Sequence, residues 1–133
     1  EDSEDIFLDE RKEKLSKWFI KLKTKLWYEY DFGDGWIHEV VLQKIIPREK
    51  GKVLPHMVAG DRASPPEDCG GIGGYAHLIE AIANPKHPDH EELTGWLQVI
   101  ERADFNPEHF NPLDVHFLDP KKRLREFEEG FGV

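Results

Sequence analysis

The sequence predicts an α+β fold, in which a small antiparallel sheet is followed by helices. Three observations support this prediction. Aromatic and β-branched residues alternate on both sides of Gly33-Asp34-Gly35, which is typical of a β-hairpin. Residues 75–83 and 89–100 carry apolar side chains three or four positions apart, which is typical of helices. Prolines and glycines lie between these segments and indicate loops.

The chain begins with a strongly acidic segment. Residues 1–10 contain six acidic side chains and no basic one, which predicts a frayed acidic tail. From residue 15 onward apolar side chains recur at spacings of three and four. This pattern predicts a short helix near residues 10–19, followed by an extended strand.

The hairpin is expected over about residues 26–46. Asp34-Gly35 is the favoured centre of a two-residue turn, and this turn would place Asp31 opposite His38. Pro47 is expected to end the second strand, because proline has no N–H to donate to a sheet.

A third strand and a long loop are expected next. Residues 53–59 could form the third strand, weakened by Pro55. Residues 60–74, named here the proline–glycine loop, combine rigid prolines with freely rotating glycines. The loop is therefore expected to have a fixed course at its prolines and conformational freedom at its glycines.

Helices are expected in the remainder of the chain. The helix over residues 75–83 should stop at Asn84, because the residue before a proline disfavours helical geometry. Asp89 is expected to cap a second helix that runs to about Ile100. Asp119 is expected to cap a last helix.

Composition bounds the class of protein. The 133 residues suit one domain, and 18 basic against 27 acidic side chains give a formal charge of −9. This charge disfavours a general polyanion binder. No apolar run is long enough to span a membrane, and Cys69 is the single cysteine, so a cytoplasmic protein without a disulfide framework is expected.

Three blocks of sequence resemble the plasmid pRiA4b ORF-3-like family. The first block is residues 28–38, which surrounds the Gly-Asp-Gly turn, and the second is residues 60–75. The third begins at His87-Pro88-Asp89-His90 and continues to the turn at residues 104–108. The blocks lie in the family's order over roughly residues 28–118.

The resemblance implies an α+β fold and an association with plasmids and transposons, where some members carry a resolvase label. It also implies that an N-terminal strand and helices precede the hairpin. The chain is therefore expected to be one domain, the later two thirds of a longer family domain. Apolar surface left by the absent part should be covered by a protein partner or by self-association.

The first two blocks are expected to hold the fold together. Asp34, Glu67 and Asp68 can accept backbone N–H groups and so pin the proline–glycine loop across the hairpin. The remaining residues expected to act structurally are Tyr30, Asp31, Phe32, Gly33, Trp36, Pro65, Pro66, Cys69, Gly70, Gly71 and Tyr75.

A metal site is the alternative interpretation of the same blocks. Asp34, His38, Glu67 and Asp68 are candidate ligands for a divalent metal that would activate water for hydrolysis. Other candidate ligands are Asp31, Cys69, His87 and His90. No organic cofactor is predicted, since no lysine and hydroxyl residue follow the glycines as a phosphate-binding loop requires.

A nucleic-acid surface is the third hypothesis. Four lysines lie near Trp18 and Trp27 in the sequence: Lys17, Lys21, Lys23 and Lys25. Lysines can bind phosphates, and tryptophans can stack on bases. A solvated basic face explains the same residues, and the acidic tail would neutralise part of its field.

The sequence favours a non-catalytic binding or accessory domain over a metal-dependent hydrolase. The scattered serines and arginines do not assemble the catalytic constellation of a recombinase. No catalytic residue is therefore assigned.

Overall fold

The computed structural model describes residues 8–130. These fall into two compact units, which are treated separately. Among the described residues, the first unit combines residues 8–27, 39–56 and 116–130, and the second combines residues 28–38 and 57–115. The predicted acidic tail lies mostly outside the described residues.

The sheet is an antiparallel hairpin. Strand β1 spans Lys25–Tyr30 and strand β2 spans Trp36–Val41, and they pair with one another. Residues 28–38, the part of the hairpin in the second unit, are named here the hairpin tip. Together with four α-helices, the hairpin confirms the predicted α+β class.

The turn differs from the two-residue turn predicted at Asp34-Gly35. Five residues separate the strands, and the N–H of Gly35 donates to the carbonyl oxygen of Asp31 at 2.6 Å. Asp31 has a positive φ of 58°, and its Oδ1 accepts the N–H of Gly33 at 2.9 Å. This local hydrogen bond ends β1 early, because a short polar side chain can replace the ladder partner.

The change of turn also changes the predicted pairing. The ring of His38 lies beside Tyr28, with 6.0 Å between ring centroids. Asp31 instead lies in the turn, where its side chain accepts the N–H of Gly33. The prediction that Asp31 faces His38 is therefore wrong.

The predicted third strand is absent from the described chain. Residues 53–59 have no strand geometry, and the sheet has two strands. Pro55 offers no N–H to a ladder, so this segment lacks a donor at its centre.

The first unit carries two helices. Helix α1 is a single turn, Leu15–Trp18, shorter than the helix predicted near residues 10–19, and its preceding residue Lys14 supplies no capping side chain. Helix α4 spans Pro120–Glu128, and Asp119 Oδ1 accepts the N–H of Lys121 at 2.9 Å. The predicted cap at Asp119 is confirmed.

The second unit is built around two packed helices. Helix α2 spans Gly71–Ala83 and helix α3 spans His90–Val99. They contact one another, and their buried apolar side chains are Leu78 and Ala81 on α2 and Leu97 on α3.

A short 3₁₀ helix spans Pro112–Asp114, and it begins where Asn111 Oδ1 accepts the N–H of Leu113 at 3.1 Å.

No helix among residues 8–130 has both the length and the apolar character needed to cross a bilayer.

Candidate functional site

The hairpin tip and the proline–glycine loop are joined by a carboxylate. Asp34 Oδ2 accepts the backbone N–H of Gly70 at 3.1 Å. Asp34 also lies in the five-residue turn, where its own N–H donates to Asp31 Oδ1 at 3.3 Å. Asp31 therefore positions Asp34, and Asp34 in turn holds the proline–glycine loop.

Gly71 brings the backbones of the two segments into direct contact. It is buried, with a φ of 67°. A Cβ atom on this residue would collide with the carbonyl oxygen of Asp34. Only glycine tolerates both the positive φ and this approach.

A second polar contact lies nearer the strands. The hydroxyl of Tyr30 donates to the carboxylate of Glu67, with its oxygen 3.1 and 3.2 Å from the two carboxylate oxygens. This hydrogen bond, followed by the charge of Glu67, raises the pKa of Tyr30. The phenol is therefore a donor at neutral pH.

A small cleft lies between the hairpin tip and the loop. Its volume is about 80 Å³, enough for a methyl group or a few water molecules. Aromatic side chains form one wall, and prolines form the other. The lining residues are Tyr30, Trp36, His38, Ser64, Pro65, Pro66 and Glu67.

Aromatic rings connect the tip to the helical part of the second unit. Tyr75 on α2 makes edge contacts with Trp36 and with Phe105, at centroid distances of 6.1 and 6.3 Å. The guanidinium of Arg102 lies 5.2 Å from the Phe105 centroid. Burial raises the pKa of Tyr75, so this phenol is a packed ring rather than an acid.

The beginning of the proline–glycine loop is fixed from another side. The N–H of Ala63 donates to the carbonyl of Pro107 at 3.0 Å. Arg62 forms an ion pair with Glu108 at 2.8 Å. These contacts and the bond from Asp34 hold the loop at both ends, which explains how a segment so rich in glycine keeps one course.

The surroundings of Cys69 do not activate its thiol as a nucleophile. Burial first, and the charge of Asp34 second, raise the pKa of its thiol. The reactive thiolate is therefore scarce at neutral pH.

The four candidate metal ligands of the first two blocks do not gather into one group. Asp34 and Glu67 are occupied by Gly70 and Tyr30, and the ring of His38 lies beside Tyr28. Asp68 is exposed and has a φ of 57°. A hydrolase based on these residues stays a prediction.

The described residues contain a different group of metal-ligand side chains. It consists of His77, His87 and Asp89. His87 is among the ligands predicted from the sequence, whereas His77 is not, and Asp89 is predicted there only as a helix cap. His90, also proposed, instead has Nδ1 2.8 Å from the carbonyl oxygen of Ala81.

Three of the four lysines predicted to contact nucleic acid have partners in the protein. Lys17 pairs with Glu13 and Lys25 with Glu39, both at 2.9 Å, and Lys23 donates to Gln43 at 2.7 Å. Lys21 is exposed. The nucleic-acid surface stays a prediction, and two of its four charges are already paired with carboxylates.

A larger groove lies in the first unit. Its volume is about 720 Å³, and it is lined by residues 48–55 and 117–120. The described chain has no buried polar or charged side chain, so the groove holds none. No sequence motif pointed to it.

The fold and the site define a small α+β domain in which a hairpin is pinned to a glycine-rich loop ahead of a helix pair. The family described as plasmid pRiA4b ORF-3-like protein matches residues 1–114. The chain belongs to this family.

The chain is similar to parts of two longer proteins. The uncharacterized protein y4hQ of Sinorhizobium fredii (strain NBRC 101917 / NGR234) is 41% identical over 69 residues, 52% of this chain and 35% of that protein. The crystal structure of the protein of unknown function MM3350 from Methanosarcina mazei Go1 is 41% identical, with a TM-score of 0.71. That similarity covers 83% of this chain and 60% of the other. The chain thus matches less than two thirds of either relative.

Proposed function

We propose that this chain is a non-catalytic binding domain that docks an extended polypeptide at its hairpin tip. The observation that carries the proposal is that the sheet consists of a single pair of strands. Within residues 8–130, β1 and β2 pair only with one another. The two outer edges of this strand pair are therefore where a further strand would add to the sheet.

Several side chains of the tip are apolar or aromatic and open to solvent. Phe32 is 83% exposed and Ile37 is 57% exposed, and Tyr28 and Tyr30 are each about two fifths exposed. An isolated two-stranded hairpin is marginal in water. A bound strand would cover this apolar surface and lengthen the sheet, which supplies both affinity and register.

Charge indicates what kind of polypeptide fits. Residues 28–38 and 57–75 carry six acidic side chains and one arginine, a formal charge of −5. A net basic strand is attracted to this surface, whereas phosphate is repelled. A second copy of the chain, with its formal charge of −9, is also repelled. The proposed partner is therefore an extended, apolar and basic segment of another protein.

The setting of this domain is part of the proposal. The lone Cys69 suits a reducing cytoplasm. The plasmid origin in the family's name supports an accessory role for a mobile element.

The test is a titration with a synthetic peptide of alternating valine and lysine, monitored by calorimetry. A matched peptide of alternating valine and glutamate is the charge control. We expect binding of the first and not of the second, and loss of binding in Phe32→Ser and Ile37→Ser. Val99→Ser removes an exposed apolar side chain from α3 and should bind as the parent does. Equal affinity for both peptides, or for all three variants, would contradict the proposal.

A further inference from the structure

Two imidazoles and a carboxylate meet where α2 and α3 come together. His77 lies on α2, and His87 and Asp89 lie in the turn that leads into α3. One ligand atom of each residue lies within 4.8 Å of the others. Nitrogen and oxygen donors in this combination are typical ligands of Zn²⁺.

The carboxylate of Asp89 is directed to His77 rather than to its own helix. Asp89 stands at the N-cap position of α3 but makes no capping hydrogen bond with its side chain. Its Oδ2 lies 3.0 Å from Nε2 of His77. Zinc–ligand bonds of 2.0–2.2 Å place tetrahedral ligands about 3.4 Å apart, so a small adjustment of this pair admits the ion.

The backbone selects the nitrogen of His87 that has a lone pair. The N–H of Asp89 donates to His87 Nδ1 at 3.1 Å, so Nδ1 directs a lone pair toward Asp89. A metal bound at Nδ1 would replace this hydrogen bond. The ring of His77 faces it, with centroids 5.3 Å apart.

The turn that presents His87 is fixed by the protein itself. Asn84 accepts the N–H of Lys86 with its Oδ1 at 3.0 Å, and accepts the N–H of His87 with its carbonyl at 2.8 Å. The N–H of His90 donates to the carbonyl of His87 at 3.0 Å. Leu78 on α2 and Leu97 on α3 are buried, and the two helices contact one another. The donor groups are thus brought together before any metal arrives.

We propose that His77, His87 and Asp89 bind one zinc ion. Three protein ligands leave the fourth tetrahedral position to water. The ion would replace the proton shared by His77 and Asp89, and would clamp α2 to the start of α3. This site is separate from the hairpin tip, so it extends the account beyond polypeptide binding.

The test is zinc titration of the untagged full chain by calorimetry. We expect one zinc per chain, and an affinity at least about tenfold lower in His77→Ala, His87→Ala and Asp89→Asn. Asn keeps a good cap residue at position 89, so that variant removes the ligand without weakening α3. His109→Ala is the matched control, because His109 and Asp114 also form an exposed pair, at 3.8 Å, and should bind zinc as the parent does.

A cobalt spectrum of the parent chain tests the geometry without any variant. Tetrahedral Co²⁺ bound through histidine and carboxylate gives strong visible bands that EDTA abolishes, whereas solvated Co²⁺ is weakly coloured. Zinc affinity weaker than about 1 mM in the parent, equal affinity in the three ligand variants, or a spectrum of solvated cobalt would each overturn the proposal.

Discussion

The carboxylate of Asp34 in the hairpin turn accepts the backbone N–H of Gly70, 36 positions further along the chain, at 3.1 Å. This bond joins the hairpin tip to the residue that precedes α2. It explains how two sequence blocks that are far apart act together. The following predictions test the parts of this arrangement.

Asp34→Ala should lower the free energy of unfolding by about 1–2 kcal/mol, because a charge-assisted hydrogen bond to Gly70 is lost. Asp34→Asn keeps an acceptor and should lose less. Denaturant unfolding of the three chains measures the difference. Glu128→Ala, at an exposed position of α4, is the control and should match the parent. Equal stability of Asp34→Ala and the parent would show that the bond does not hold the loop.

Gly71→Ala should destabilise the fold by more than about 2 kcal/mol, because its Cβ meets the carbonyl of Asp34 at a positive φ. Gly73→Ala is the matched control on the same helix. Nothing lies within 4 Å of a Cβ at Gly73, so alanine there should stabilise α2 by about 0.5–1 kcal/mol. Thermal unfolding compares the two. A similar midpoint for both variants would contradict the close approach.

The free energy of unfolding should fall at high pH, because Tyr30 then loses its phenolic proton. Its pKa is raised in the folded chain by Glu67, so the folded state holds the phenolic proton more tightly than the unfolded state does. This contribution is complete below about pH 10, the ordinary pKa of tyrosine, and is lost as pH rises through the folded pKa. Tyrosinate absorbance, corrected with Tyr30→Phe, follows the group. Glu67→Gln should bring the midpoint of Tyr30 down; an unchanged midpoint would exclude Glu67 as the cause.

Asp119→Ala should cost about 1 kcal/mol, since Asp119 caps α4 with its side chain. Asp89→Asn, measured with chelator present, should cost much less, because the side chain of Asp89 makes no cap bond with α3. Denaturant unfolding at neutral pH separates the two positions. If Asp89→Asn proved as costly as Asp119→Ala, the 3.0 Å contact of Asp89 with His77, rather than a helix cap, would be what stabilises the start of α3.

Local signals predicted the helical part of the fold well. The cap at Asp119 depends on one side chain and its two neighbours, and it appears as expected. The stop at Asn84 follows from the proline after it. Helix α2 begins at Gly71 rather than near Tyr75, because packing against Asp34 compensates for the poor helix propensity of its glycines.

The hairpin turn shows where local rules conflict. Asp34-Gly35 is a strong two-residue turn signal, yet the Asp31 side chain bonds to Gly33 two residues on and opens a five-residue loop. Both choices satisfy the backbone locally. Contact with Gly70 and Gly71 of the distant loop accompanies the longer turn, and no local pattern contains that information.

The zinc ligands were only partly predictable for the same reason. His87 and Asp89 lie two positions apart in sequence, but His77 lies ten positions before His87 and reaches them only through the packing of α2 on α3. The lack of a capping bond at Asp89 is likewise a tertiary effect, since its carboxylate has a partner in His77.

Amide hydrogen exchange decides whether the hairpin tip binds an extended polypeptide. The parent chain is compared with and without the valine–lysine peptide. Strand amides that β1 and β2 do not use for each other should become protected on one edge, while the amides of α3 stay unchanged. Binding that protects no strand edge, or no binding at all, would exclude polypeptide docking at the tip.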